Sequence, residues 1–291
     1  MATTRTAALG LLAAALLAAC AKTAEAPGIP FAPYEKTYQS KPDFAQVDYK
    51  YPIPPAELAK ITPDYLATLD QEQIDQIYAR LTAGPIPDGA FEGRILLPKG
   101  MSGKFRMSEI AGGFAGTALH LKGLVVEDIG EALWKGKVFF RDERVLRNRI
   151  EDLGVLKKAG LVEGEPKKMS YGGKETWLLF PAKLYCGQSL LDARRESVII
   201  DYFFTDEIPG YQEKPDYIAG RRGLKVRDEI RMIRPGLYLG RAYLDKVFAL
   251  NFTLHDKALD ERTREEYAKG AKPQEDCWPG TQARTVAAAK P

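Results

Sequence analysis

The chain has little of what common catalytic and metal sites are built from. Its 291 residues include two histidines and three cysteines, which leaves a zinc site short of ligands. No G-x-S-x-G, H-E-x-x-H or P-loop pattern occurs, so the local signatures of several hydrolase and nucleotide-binding classes are missing. A Ser-His-Asp triad using His120 or His255 stays open without a local signature. We therefore name no catalytic residue and expect no metal and no cofactor.

The chain also lacks a dominant charge and a basic run. Lys and Arg number 42 against 39 Asp and Glu, a formal net charge of +3. Nucleic-acid-binding proteins carry clustered positive charge to meet the phosphate backbone. We therefore expect no nucleic-acid partner.

The first 20 residues hold an apolar run, from Ala7 to Ala19. It is too short to span a bilayer as a helix and is typical of a signal-peptide core. It ends in Leu17-Ala18-Ala19-Cys20, which resembles the lipobox of bacterial lipoproteins. The resemblance implies removal of residues 1–19, acylation of Cys20 and, since residue 21 is not Asp, an outer-membrane anchor facing the periplasm. An ordinary secretory signal that contains a cysteine is the alternative.

The other two cysteines follow from this compartment. With Cys20 acylated, Cys186 and Cys277 remain as an even pair in an oxidising environment, which favours a disulfide. That bond would hold the tail at 274–280. The alternative makes Cys186 a nucleophile, which would need one of the two histidines as a base.

Composition divides the mature chain into three parts. Residues 20–62 contain seven prolines and are predicted to form an extended tether. Residues 63–256 are predicted to form a single β-rich domain with a helix at 69–83, and residues 257–291 a polar helix and a disordered tail. The helix prediction rests on a stripe of apolar residues at helical spacing, namely Ile74, Ile77, Tyr78 and Leu81.

Most of the domain is predicted to be β-structure. Its fold class is mainly β (α+β), an antiparallel barrel or half-barrel, because short alternating segments follow one another without βαβ alternation. In the last strand, Phe248, Leu250, Phe252 and Leu254 are expected on one face. The predicted strands are 91–97, 137–140, 145–150, 176–186 with an interruption at Pro181, 197–204, a hairpin at 227–244 and 246–254.

Two short patches, LWKGKVFF at 133–140 and PGLYLG at 235–240, are similar to strand motifs of calycin-like proteins, the group of lipocalins and fatty-acid-binding barrels. The Gly-x-Trp of a lipocalin's first strand is absent. The resemblance implies a barrel architecture, and it carries over no ligand residues.

The strand at 226–232 is unusually charged. Arg227, Glu229 and Arg231 are expected on a solvated face, while Asp228 shares the apolar face. A buried carboxylate needs a partner, and Arg241, or Arg221 and Arg222, are the candidates.

Asp201 interrupts another apolar strand in the same way. Either acid is a structural ion pair or the polar anchor of a ligand pocket. The candidate ligand-binding residues are Asp201, Asp228, Arg241, Tyr202 and Tyr238.

Three functions follow from these features. The first is an outer-membrane-anchored periplasmic lipoprotein that binds an apolar or amphiphilic small molecule. The second is an envelope interaction or assembly lipoprotein without a ligand. The third is a periplasmic hydrolase in which Asp201 and Asp228 act as paired carboxylates.

Overall fold

The computed structural model describes residues 25–34, 42–100 and 134–280, except residues 159, 163 and 172. The helices are α1 (Phe44–Lys50), α2 (Pro55–Leu58), α3 (Pro63–Thr68), α4 (Gln71–Arg80), α5 (Gly154–Lys158), α6 (Glu213–Asp216) and α7 (Lys257–Ala268). The strands are β1 (Gly89–Leu96), β2 (Trp134–Phe140), β3 (Val145–Ile150), β4 (Lys168–Tyr171), β5 (Lys174–Gln188), β6 (Glu196–Asp201), β7 (Val226–Arg234), β8 (Leu237–Leu244) and β9 (Val247–His255).

The strands form a closed antiparallel barrel. The sheet order is β3-β2-β1-β9-β8-β7-β6-β5-β4, and an additional pairing between β3 and β5 joins the ends. Eight strands therefore make the wall, and β4 pairs with the first four residues of β5. This confirms the mainly β, antiparallel barrel predicted from the sequence.

Strand β5 is continuous where an interruption was predicted. Pro181 lies inside it, and Phe180 takes a positive φ of 51°. The register between β3 and β5 shifts between Leu146 and Asn148. An irregular position of this kind accommodates a residue that has no N–H to donate to the ladder.

The barrel interior is mostly apolar and has two different ends. At one end Ala83, Ile86 and Cys277 pack among the barrel residues Met232 and Tyr238. We call this the plugged end.

At the other end the apolar side chains are only partly buried. We call this end the mouth, and it is formed by Trp134, Phe180, Val226, Ala242 and Leu250.

The outer face of β7 and β8 is covered by helices rather than water. Ile77 and Tyr78 of α4 pack against the wall with Leu237 and Leu239. The prediction of a solvated face on β7 is therefore wrong, because Glu229 and Arg231 are fully buried beneath this layer. In the described part of the chain, no helix has the length and apolarity needed to cross a bilayer.

The predicted tether at 20–62 is also wrong for the residues that are described. The backbone N–H of Ala32 donates to Gln76 and its carbonyl accepts from the same side chain, at 2.9 and 3.0 Å. Val47 and Ile61 are fully buried. These residues belong to the domain because their apolar side chains are buried in it.

The polar C-terminal helix is confirmed as α7, and the chain beyond it is held in place as far as residue 280. The backbone N–H groups of Gly84 and Ile86 each donate to a tail carboxylate, from Glu275 and Asp276. The predicted disulfide between Cys186 and Cys277 is present, with Cα atoms 5.3 Å apart. The prediction of a disordered tail is therefore wrong for residues 269–280, and residues 281–291 lie outside the described part.

We predict that breaking the disulfide destabilises the domain. The bond closes a loop of 91 residues, and its loss should lower the unfolding free energy by about 2–4 kcal/mol. Cys186→Ser/Cys277→Ser should also raise hydrogen exchange at 271–280. Two free thiols in native, oxidised protein would contradict the pairing.

A second prediction concerns Asp260 of α7. Its carboxylate accepts from Arg234 at 2.7 and 2.8 Å and from His255 at 2.7 Å, and it also pairs with Arg264. Burial raises the pKa of Asp260, but the hydrogen bonds from His255, Arg234 and Arg264 outweigh it and hold the pKa well below its ordinary value.

Because this folded-state pKa is lowered, the stabilisation is present above about pH 4 and is lost as pH falls below it. Urea unfolding between pH 5 and pH 2 should show Asp260→Asn losing less stability on acidification than the wild type. Glu261→Gln, at an exposed carboxyl on the same helix, is the control and should keep the wild-type slope. If the unfolding free energies of the wild type and Asp260→Asn fell equally with pH, the stabilising role assigned to the Asp260 carboxylate would be refuted.

Candidate functional site

A buried ion pair lies inside the barrel, on the mouth side of its interior. The Lys137 ammonium on β2 is 2.9 Å from Asp228 Oδ2 on β7, and the side chains are 3% and 4% exposed. Strand alternation aims both inward, since Lys137 is opposite Phe91 in register and Asp228 is opposite Ala242. The pair joins opposite parts of the wall.

Two further side chains complete the cluster. Lys137 Nζ donates to Asn148 Oδ1 at 2.9 Å and to the Tyr202 hydroxyl at 2.5 Å. The Tyr202 hydroxyl donates to Asp228 at 3.3 Å and accepts from Asn148 Nδ2 at 3.0 Å. We call Lys137, Asn148, Tyr202 and Asp228 the interior cluster.

Aromatic rings surround the ammonium. The Lys137 Nζ atom is 5.4 Å from the ring centre of Trp134, 5.2 Å from that of Tyr202 and 5.4 Å from that of Phe252. Trp134 Nε1 also donates to Asn148 Oδ1 at 2.9 Å. Trp134 is therefore both part of the mouth and a hydrogen-bond partner of the cluster. Such rings stabilise a desolvated cation.

Burial sets the protonation of the cluster. It lowers the pKa of Lys137, and the carboxylate of Asp228 opposes this effect. Burial also raises the pKa of Tyr202 well above its ordinary value, so the phenol stays neutral. With one cation beside one anion, the cluster has little net charge. It is suited to a neutral polar group and unfavourable for a second ion.

The mouth and the cluster together have the composition of a ligand site. Small-molecule sites combine an apolar lining with a few convergent polar groups that fix orientation. Here the lining is the mouth, and the polar groups lie just beneath it.

The structure brings only two of the five predicted site residues together. Asp228 and Tyr202 are both in the interior cluster. Arg241 points to the outer face, where it pairs with Asp75 of α4. The prediction that Arg241 is the partner of Asp228 is therefore wrong, and so is its alternative, Arg221 and Arg222.

The other two predicted residues lie elsewhere. Tyr238 is at the plugged end, where its hydroxyl donates to the carbonyl of Pro85 at 2.7 Å. Asp201 lies on the outer face and accepts from the Tyr185 hydroxyl at 2.7 Å. Burial, followed by this hydrogen bond, raises the pKa of Tyr185 to about 12.

Asp201 and Asp228 do not share a site. Ile200, not Asp201, is opposite Asp228 in the pairing of β6 with β7. Adjacent residues of a strand point to opposite faces, so the barrel wall separates the two carboxylates. This geometry does not supply the paired carboxylates that the hydrolase hypothesis needs.

Sequence reasoning missed Lys137, Asn148 and Trp134 as site residues. A signal was present, because both strands that carry them place one polar residue among inward-facing apolar ones. In WKGKVFF that residue is Lys137, and in VLRNRI it is Asn148. The long sequence separation from Asp228 concealed their association.

An open groove lies on the outside of the domain, between α2 and α7. Its volume is about 550 Å³. It is lined by three alanines and four charged residues, namely Ala56, Ala59, Lys60, Glu261, Arg264, Glu265 and Ala268.

One group of potential metal ligands occurs among the described residues. Cys186, Cys277 and Glu196 offer ligand atoms within 4.8 Å of one another. The two sulfur atoms are bonded to each other, so neither is available as a thiolate ligand in this state.

Comparisons with known proteins add little to this site. No family model matches the chain, and no curated protein matches it. A solved structure described as a protein from Thermomonospora curvata aligns with a TM-score of 0.32 and 16% identity, covering 65% of this chain and 88% of that one.

We predict that the Lys137–Asp228 pair is strongly non-additive. Lys137→Met leaves a buried carboxylate unpaired and should cost about 3–5 kcal/mol of unfolding free energy. Lys137→Met/Asp228→Leu removes both charges and should be more stable than the single variant. Lys246→Met, at an exposed site, should stay within about 0.5 kcal/mol of wild type. Additive effects in the double-mutant cycle would show that the two charges do not interact.

Proposed function

We propose that this protein is a lipid-anchored protein of the bacterial cell envelope whose barrel binds a small apolar molecule through its mouth. The ligand carries a neutral polar group, such as a carbonyl or a hydroxyl. The interior cluster beneath a partly exposed apolar rim is the observation that carries this proposal.

The chemistry of the cluster defines the polar group. Lys137, Asn148 and Tyr202 each have an N–H or O–H group that donates a hydrogen bond to a ligand oxygen. The carboxylate of Asp228 already balances the positive charge of Lys137. A ligand carboxylate would place a second anion in a buried site that has one cation, which is unfavourable. A neutral oxygen replaces one of the internal hydrogen bonds without adding charge.

The envelope location is supported by the sequence. The Leu17–Cys20 segment resembles a lipobox, and acylation there anchors a protein stably. A disulfide between Cys186 and Cys277 agrees with an oxidising compartment. Outer-membrane anchoring on the periplasmic side follows from the sorting rule for residue 21.

A second candidate is an envelope interaction protein without a ligand. It is supported by two exposed aromatic side chains on the outer wall, Tyr185 at 41% and Phe203 at 38% exposure. Both contact Asp201, through the hydroxyl of Tyr185 and the backbone N–H of Phe203. Aromatic residues are enriched in protein interfaces.

A neutral fluorescent probe separates the two candidates. We predict that N-phenyl-1-naphthylamine binds the native protein and that Trp134→Ala weakens binding by about three- to tenfold, because one aromatic contact is lost. Leu250→Ala, at a second mouth position, should weaken it as well. Val247→Ala is the matched control, since Val247 is the exposed first residue of β9.

Circular dichroism establishes that each variant is folded before titration. If all three variants bound the probe as tightly as the wild type, or if the wild type showed no saturable binding, the mouth would be rejected as a ligand site. The Tyr185→Ser variant should bind the probe like the wild type under the ligand hypothesis.

A further inference from the structure

The described chain begins beside the groove between α2 and α7. Glu25 pairs with Lys60 Nζ at 3.2 Å, and Lys60 is part of the groove lining. Three residues later, the backbone N–H of Gly28 donates to Glu57 of α2 at 2.5 Å. The chain therefore enters the domain at this groove.

The segment that follows is fixed to the same side of the domain. Ile29 and Ala32 are buried. The Gln76 side chain forms hydrogen bonds with both the N–H and the carbonyl of Ala32. Arg80 donates to the carbonyl of Pro30 at 2.8 Å. The entry point at Glu25 is therefore tied to the packed domain through several independent contacts.

The distance from the anchor follows from the covalent chain. Cys20 and Glu25 are five residues apart, and an extended chain reaches at most about 3.6 Å per residue, or about 18 Å in total. An acylated Cys20 lies at the bilayer surface. The groove at Glu25 thus cannot be far from that surface.

We propose that the face formed by α2 and α7 contacts the phospholipid surface of the membrane that holds the anchor, and that the mouth opens away from it. This proposal rests on the lipid anchor of the proposed function. Its occupant is the headgroup layer of the bilayer.

The chemistry of this face suits a headgroup layer. Pro54, Pro55 and Ala56 form an exposed apolar start of α2. Three cations lie in or beside the groove, and each forms an ion pair with a carboxylate of the domain, namely Lys60, Arg264 and Lys269. The carboxylates Glu57, Glu261 and Glu265 alternate with them. Mixed charge of this kind favours shallow contact with a zwitterionic or mixed surface over insertion into the hydrocarbon.

The position of α7 on the barrel sets the direction of the mouth. Asp260 of α7 pairs with Arg234, and the Tyr267 hydroxyl donates to the carbonyl of Ile233. Both contacts are at the last residues of β7, next to the plugged end.

The mouth lies at the opposite end of β7, at Val226. The nine residues of this strand span about 26–30 Å. A ligand would accordingly enter from the aqueous side rather than directly from the bilayer.

The test is lysine footprinting of the mature, acylated protein on vesicles of phosphatidylethanolamine and phosphatidylglycerol. A water-soluble acetylating reagent modifies accessible lysines, and mass spectrometry gives the extent at each position. Lys60 and Lys269 report on the proposed membrane face. Lys225 and Lys246 are exposed at the mouth end and serve as matched controls in the same chain.

We expect vesicle binding to lower modification of Lys60 and Lys269 by about threefold or more, because headgroup contact restricts access of the reagent. Lys225 and Lys246 should be modified as in detergent solution. A form that begins at Ala21 should show the same pattern with and without vesicles.

Two different results would overturn the proposal, and they are distinguishable. Protein that stays on the vesicles but is protected uniformly, or at Lys225 and Lys246 instead, would refute the orientation alone. Protein that does not associate with vesicles, or that lacks an acyl mass at Cys20, would refute the anchor and the orientation together.

Discussion

The pairing of β3 with β5 is the constraint on which the rest of this structure depends. It closes eight of the nine strands into a barrel, and a closed barrel encloses an interior. Inside such a wall, Lys137 and Asp228 lose access to water, and each needs the other. The same pairing brings Asn148 on β3 within hydrogen-bond distance of Tyr202, which follows β6. An open half-barrel would leave these groups hydrated, and the cluster would have no reason to form.

The outer wall repeats this rule on a larger scale. Arg231, Arg234 and Arg241 are fully buried there, and each faces a carboxylate of the covering layer. The partners are Asp192, Asp260 and Asp75. Buried cations are tolerated only when they are paired, so the covering helices cannot be separated from the barrel at low energy. The segments that precede β1 and follow β9 thereby form one domain with the barrel.

The covering layer limits how the domain could sit on a membrane under the proposed lipid anchor. A free tether of some forty residues would allow many orientations of the domain. Under the proposed lipid anchor, the packed segment around Ile29 and Ala32 leaves only the four residues 21–24 between Cys20 and Glu25, which restricts the domain to few orientations. In the proposed arrangement, membrane contact and ligand entry lie at different ends of the barrel.

Much of the fold could be predicted from the sequence because local alternation records burial. The hairpin at Pro235-Gly236 and the strand at 145–150 were correct for this reason. Phe248 was an exception. It was expected on the face of Leu250 and Phe252, but a register shift between Ala242 and Tyr243 turns it outward, over the Arg241 guanidinium at 4.2 Å. A single extra residue in a strand reverses every later side chain, and sequence periodicity does not show where it occurs.

The site was predictable only in part. Asp228 was identified because one acid among apolar neighbours needs an explanation. Its partner was not, because Arg241 is close in sequence and Lys137 is distant. Strand alternation places Asp228 and Arg241 on opposite faces once the register is known, with Ala242 opposite Asp228. The burial of Glu229 and Arg231 was missed for a related reason, since no local pattern shows that a helix from another part of the chain covers a strand.

Native mass spectrometry of the protein purified from a periplasm tests the central claim most directly. The intact protein would be compared with the same sample after denaturation and solvent extraction. A ligand-binding barrel predicts a stoichiometric extra mass that is released on denaturation, appears in the organic extract and is absent from Lys137→Met/Asp228→Leu. The apo mass in every native preparation, together with unchanged spectra after incubation with the envelope extract, would contradict the claim and favour an interaction protein.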